Sequence, residues 1–132
     1  MAVQPESSFI QRINKNVSPE VYREKMHNPY RGGTPDVWYS GTKSDLWVEY
    51  KFINKEIKHS FTADLSALQT RWLRKRFDEG RTVAVIVGYK GGGFIFNTPD
   101  DWEAPHLLAN TPFHSNTVIS EWINNVCIEV LE

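Results

Sequence analysis

Apolar residues recur along this chain with different periods, and the order of those periods lays out its elements. In 6–15 (ESSFIQRINK), Phe9, Ile10 and Ile13 stand at helical spacing behind a Ser7 or Ser8 cap, which predicts a short first helix. Pro19 and the mixed run 21–27 (VYREKMH) predict a partly exposed strand, and Arg31-Gly32-Gly33 turns the chain. Residues 36–40 (DVWYS) and 45–52 (DLWVEYKF) are rich in β-branched and aromatic types and flank the turn-forming Gly41-Thr42-Lys43-Ser44, so they read as a hairpin. The stretch 54–64 has no clear period and reads as a mobile loop. A helix follows: Ser66-Ala67-Leu68-Gln69 fits a capping box, Leu68, Trp72, Leu73 and Phe77 define its apolar arc, and Gly80 stands at its C′ position. The continuous apolar run 82–89 (TVAVIVGY) predicts a central strand covered on both faces, Gly91-Gly92-Gly93 a turn, and 94–97 (FIFN) a returning strand. Residues 98–116 hold three of the seven prolines and read as irregular. In 117–131, Val118, Ile119, Trp122, Ile123, Val126, Cys127 and Val130 share one face, which predicts a core-packing helix that can run into a short strand. The sum is an α/β chain with a mixed β-sheet of about five strands flanked by helices. Its 132 residues form one domain, with a core at about 6–97 and a C-terminal extension at 98–132.

The hairpin carries the chemistry. Either plausible loop length gives one register, with Ser40 opposite Asp45, Tyr39 opposite Leu46, Val37 opposite Val48 and Asp36 opposite Glu49. Alternation then puts Asp36, Trp38, Trp47, Glu49 and Lys51 on one face and Val37, Tyr39, Leu46, Val48 and Tyr50 on the other. Opposed residues on antiparallel strands bring their Cβ atoms to about 4.5–5.5 Å, where like charges destabilise the pair. A hard divalent cation such as Mg²⁺ removes that cost, since it takes one or two carboxylates together with water and substrate phosphate. Lys51 follows Glu49 by two residues, about 7 Å at strand rise, which suits an ammonium directed at the attacking water or the phosphate. Each half alone has a plainer meaning: Glu-x-Lys is a common charge pair on solvated strands, and Pro-Asp is common at turns. Pro99-Asp100 shows this, because no Glu-x-Lys follows it and Asn97-Thr98-Pro99-Asp100 reads as an ordinary turn. The shared register is what lifts Asp36 and Glu49 above such coincidence.

On the capped helix, Gln69 and Arg76 fall near the middle of the apolar arc rather than on its polar edge. Gln69 either caps the helix backbone or meets substrate or metal-bound water at the carboxylate site. Arg76 snorkels, pairs with an acid, or reaches nucleic acid. The triple glycine resembles a phosphate cradle only superficially, because no helix with a Lys-Ser/Thr opening follows it.

Charge narrows what such a site can grip. With net charge −1 and a pI near 6.4, bulk electrostatics do not hold nucleic acid here, so any DNA contact is local. Lys55, Lys58 and Arg76 are the candidates beside Lys51, while Arg71, Arg74 and Lys75 read as a solvated helix face. Cys127 is the single cysteine, in an apolar setting that implies a buried, inert thiol and excludes a cysteine-based zinc site. His27, His59, His106 and His114 lack the spacing of a helical metal pair. No stretch is long enough to span a membrane and Met1–Ser8 shows no signal-peptide pattern, so the expectation is an intracellular protein with no membrane partner.

Glu6, Gly33-Thr34-Pro35-Asp36, Glu49-Tyr50-Lys51, and Ser66-Ala67-Leu68-Gln69 followed by Trp72 and Gly80 together resemble the PD-(D/E)xK nuclease core. Within it they resemble the VRR-NUC and Holliday-junction-resolvase-like branch often found in phages. The resemblance spans about residues 6–90 and implies a restriction-endonuclease-like αβββαβ core. It implies that Asp36, Glu49 and the Tyr50 carbonyl hold Mg²⁺, with Mn²⁺ as substitute, and that Lys51 positions the water. Gln69 matches the family's helix glutamine, and Glu6 matches its first acid by position in a helix alone. The implied activity is DNA endonuclease, releasing 5′-phosphate and 3′-hydroxyl ends, on branched or nicked DNA and in the cytoplasm (the host's, for a phage protein). Selection would come from DNA shape, a homodimer or a partner protein. Two other classes remain open: a catalytically silent nucleic-acid-binding or interaction module, and a non-nuclease metal-binding domain in which Lys51 has no purpose.

Overall fold

A computed structural model describes residues 5–26 and 32–129. Expectations that fall on His27, Arg31 and Val130 lie outside the described residues. Helix α1 (Pro5–Lys15) leads into strands β1 (Tyr22–Lys25), β2 (Val37–Ser40) and β3 (Asp45–Phe52). A two-residue strand β4 (Ser60–Phe61) precedes helix α2 (Ala67–Asp78) and strands β5 (Val83–Tyr89) and β6 (Gly92–Phe96). The chain closes with helix α3 (Pro99–Glu103), short strands β7 (His106–Leu107) and β8 (His114–Ser115), and helix α4 (Asn116–Cys127).

The main sheet has six strands in the order β1-β2-β3-β5-β6-β8, one more than the sequence predicted. Only β3 and β5 run parallel. Parallel neighbours need a long crossover, and α2 supplies it. The β2–β3 register is the expected one, with Val37 opposite Val48, Tyr39 opposite Leu46 and Ser40 opposite Asp45. Alternation therefore splits the core in two. Val37, Tyr39, Leu46, Val48 and Tyr50 pack with Phe9 and Ile13 of α1 and with Ile119, Ile123 and Cys127 of α4. Val83, Val85, Val87, Phe94 and Phe96 pack on the other face with Leu73 of α2. Burying Leu73 fully, as here, stabilises by about 1.5–3 kcal/mol. The C-terminal extension is thus part of the same core, since α4 seals one face and β8 extends the sheet edge.

Five local expectations are corrected. Residues 54–64 are not a bare loop: Ile57, Phe61 and Ala63 are buried, and β4 pairs with β7. Pro99-Asp100 opens a helix rather than a turn, because Thr98 caps it by accepting the Asp101 N–H and Pro99 fits its first turn. Gly92 and Gly93 belong to β6, and Gly91, at φ +80°, makes the turn. The apolar arc of α2 is narrower than predicted, with Leu68 half exposed and Phe77 at the surface, so Leu73 and the half-buried Trp72 anchor the helix. Val118 likewise points outward from α4.

Candidate active site

Three elements converge on one end of the β2–β3 hairpin. Asp36 ends the loop before β2, Glu49 and Lys51 project from β3 on the α2 side of the sheet, and Gln69 stands in the first turn of α2. The loop can reach this place because of Gly33. Its φ of +94° favours glycine, and a Cβ there would run into the Leu68 carbonyl oxygen. The backbone thus passes against the α2 N-terminus, and buried Pro35 delivers Asp36 to β3. Asp36 Oδ2 accepts the Tyr50 N–H at 2.9 Å, so the carboxylate is tied to the strand that carries its partner acid.

Glu49 is the most unusual residue of the site. It is 3% exposed, and its Oε2 accepts a hydrogen bond from Gln69 Nε2 at 2.8 Å. Lys51 Nζ lies 3.7 Å from the same oxygen. Its Oε1 is buried with no hydrogen-bond partner. Burial first, then the negative charges of Asp36 and Glu6, push the Glu49 carboxyl up to about 8, against the opposing pull of Lys51. Asp36 is also raised, by burial, although the Tyr50 N–H and Lys51 ease it. The Glu49 carboxyl thus combines an unpartnered buried oxygen with a raised affinity for its proton.

Gln69 caps the helix backbone and also reaches the strand acid. Its Oε1 accepts the Ser66 N–H at 2.9 Å while Ser66 Oγ accepts the Gln69 N–H at 3.1 Å, a complete capping box. The other end of the same amide holds Glu49. The helix start and the strand acid are therefore locked together through one planar group.

Behind the site, α1 is pinned to β3. Tyr39 Oη donates to Asn14 Oδ1 at 2.6 Å, which leaves Tyr50 Oη, 2.6 Å from Tyr39 Oη, to donate to it. Phe9 meets the Tyr50 ring edge-on at 5.9 Å. One turn earlier on α1, Glu6 carries a carboxyl raised by partial burial and then by Asp36. Its charge is felt in the site, yet among the described residues no three His, Cys, Asp or Glu side chains group to hold a cation. Glu6 therefore does not form such a group with Asp36 and Glu49.

The basic candidates lie apart from this centre. Lys55 and Lys58 are exposed in the segment after β3. Arg76 sits at the far end of α2, where it pairs with Glu79 at 2.8 Å and lies 5.4 Å from the Trp72 ring centroid. What sequence reasoning missed is a row of rings on the same face: Tyr22 to Trp38 at 5.6 Å, Trp38 to Trp47 at 5.8 Å and Trp47 to Trp72 at 5.4 Å. The signal was present, because the alternation that put Trp38 and Trp47 on the face of Asp36 and Glu49 also paired them.

No family model and no curated protein matches the chain. Among solved structures it is similar to Hjc, a Holliday junction resolvase from the archaeal hyperthermophile Archaeoglobus fulgidus, with a TM-score of 0.55 at 12% identity. The alignment covers 89% of this chain and 97% of that one. At that identity the likeness is one of fold, a mixed α/β sheet flanked by helices. No helix of the described residues is long and apolar enough to cross a membrane.

Proposed function

We propose that this protein is a divalent-metal-dependent DNA endonuclease of the PD-(D/E)xK type, acting on branched or nicked DNA and leaving 5′-phosphate and 3′-hydroxyl ends. The observation that carries the proposal is Glu49, buried beside Asp36 with Oε1 unpartnered and Lys51 next to Oε2. The fold shared with a Holliday junction resolvase supports it.

The residues present fit a hard cation: Asp36, Glu49 and the Tyr50 carbonyl offer oxygen donors, and the buried Oε1 has no hydrogen-bond donor. Bound there, Mg²⁺ or Mn²⁺ would supply charge stabilisation at the phosphoryl oxygens and a more acidic water. The chain's own residues do the rest. Lys51, the more exposed of the pair, holds the attacking water or a phosphate oxygen beside Glu49. Gln69 fixes the Glu49 rotamer from the helix, so the carboxylate loses little entropy on binding. Lys55, Lys58 and Arg76 give the local grip that the near-neutral surface otherwise lacks.

The purified protein is expected to cut at least one member of a panel of single-stranded, duplex, nicked, flap and four-way DNA in Mg²⁺ or Mn²⁺, and none in EDTA. Calcium should support binding without cutting. Absence of cleavage across the panel at micromolar protein, with DNA still bound, would assign the fold to a silent binding module. Affinity provides a separate check: few phosphates can be neutralised, so log affinity against log salt should fall with a slope of about −2 to −5 per protomer. A slope near −10 would reveal a basic surface that the chain does not display.

A further inference from the structure

We infer that the row Tyr22, Trp38, Trp47 and Trp72, closed by Arg76, is a stacking platform for unpaired bases next to the cleaved bond. The inference rests on the nuclease reading for the nature of its ligand, but not for its geometry. The row crosses three strands and a helix without interruption, from β1 to α2, with neighbouring ring centroids 5.4–5.8 Å apart. It lies on the α2 side of the sheet and runs past the edge of that helix. Helices α1 and α4 cover the opposite face of β2 and β3 and α2 packs on β5, so Tyr22 remains 56% exposed and the three indoles only partly buried.

Trp47 and Trp72 pack in part against the core beneath α2, whereas Tyr22 and Trp38 carry the row beyond that core toward solvent. Nucleic acid fits what is left. Trp72 lies between two cavities, one of about 330 Å³ reaching Trp47, Arg76 and Arg81, the other of about 280 Å³ reaching Arg71 and Lys75. Guanidinium and ammonium groups thus flank partly exposed aromatic rings, the combination by which proteins track a single strand and stack its bases. The nearby Asp45 carboxylate does not repel such a strand at full strength, because Ser40 Oγ and Trp38 Nε1 already donate to it at 2.6 and 3.2 Å.

Position ties the platform to the site. Trp38 and Trp47 are cross-strand partners one alternation step from Asp36 and Glu49, about 7 Å along the same face. A strand whose phosphate reaches Glu49 and Lys51 can therefore lay an adjacent base on Trp47. Bases stacked inside a duplex present no free face, so the partner is an unpaired segment: a flap, a gap or the splayed arm of a branch.

The test measures binding by fluorescence anisotropy in Ca²⁺, with a labelled oligothymidylate and a blunt duplex of equal length, for the parent, Trp38→Ala, Trp38→Phe and Arg76→Ala. Cleavage of a flap substrate in Mg²⁺ is followed in parallel. Trp38→Ala should weaken single-strand binding by roughly 5- to 150-fold, the range of one lost base–aromatic stack, and change duplex binding less than twofold. Trp38→Phe, which keeps a ring and the fold, should fall between, and Arg76→Ala should weaken the single strand preferentially. Equal losses on both DNAs, no loss in any variant, or a parent that binds no single strand would overturn the platform. The two readings fail separately. A parent that cuts while Trp38→Ala binds normally removes the platform alone, and selective loss in a parent that never cuts removes the nuclease alone.

Discussion

Lys51→Ala is expected to abolish cleavage, by at least about 10²- to 10³-fold in the single-turnover rate, while Mg²⁺ still raises the melting temperature of the variant. The ammonium lies 3.7 Å from Glu49 Oε2 and is partly exposed. In the proposed reaction it acts on water or phosphate and does not hold the ion. Asp36→Asn should cut equally little for a different reason, the loss of a charged oxygen donor. The two variants are told apart by the Mg²⁺ thermal shift, which Lys51→Ala retains and Asp36→Asn loses. The structure adds a constraint on Asp36 that repulsion alone does not give. Because Asp36 Oδ2 accepts the Tyr50 N–H, asparagine can keep that bond through its own carbonyl oxygen, whereas Asp36→Ala strands the N–H and should cost about 1–3 kcal/mol. Parent-level cleavage by Lys51→Ala would remove the lysine from the chemistry. An Asp36→Asn variant that still cuts would remove the carboxylate from it.

How much of this could be read from the chain depends on the range of the interactions involved. The hairpin was legible because its two strands are adjacent in sequence and a short turn fixes their register, so period-two alternation alone assigned Asp36, Glu49 and Lys51 to one face. The capping box of α2 was equally local. Its consequence was not, since the Gln69 amide reaches Glu49 only once α2 has crossed back over the sheet. Residues 54–64 failed for the same reason in reverse. Their buried Ile57, Phe61 and Ala63 have no local period, and β4 finds its partner β7 only in the tertiary fold. At Pro99-Asp100 the signals were present but misjudged, because Thr98 before proline and two acids is a helix start as readily as a turn. Leu68 looked apolar and inward by its angle on the helix. It is half exposed because the glycine loop at 32–33, not the sheet, lies against it.

Glu49→Gln should move activity and stability in opposite directions. Cleavage is lost with the charge, yet in EDTA the variant should melt higher than the parent at pH 8. The sign follows from the carboxyl's shift. With a folded-state value near 8 against an ordinary 4.5, the folded parent holds a proton that the unfolded chain has released, so its stability falls as pH rises from about 4.5 to about 8. Below that window both states are protonated and above it both are ionised, so the loss stops growing. Glutamine carries no charge in either state and keeps an oxygen to accept the Gln69 amide, so it shows no such slope. The gap between variant and parent should therefore open through the window and reach at least about 1 kcal/mol, or about 4 °C for a chain of this size. Excess Mg²⁺ should close it from the parent's side, because an ion at 100 times its Kd adds about 2.7 kcal/mol to the state that binds it. Melting curves from pH 4.5 to 9, with EDTA and with Mg²⁺, decide the matter. If Glu49→Gln melts several degrees lower at pH 8 and the gap does not change with pH, the buried carboxylate is a structural tether for α2 and the proposed metal site loses its central ligand.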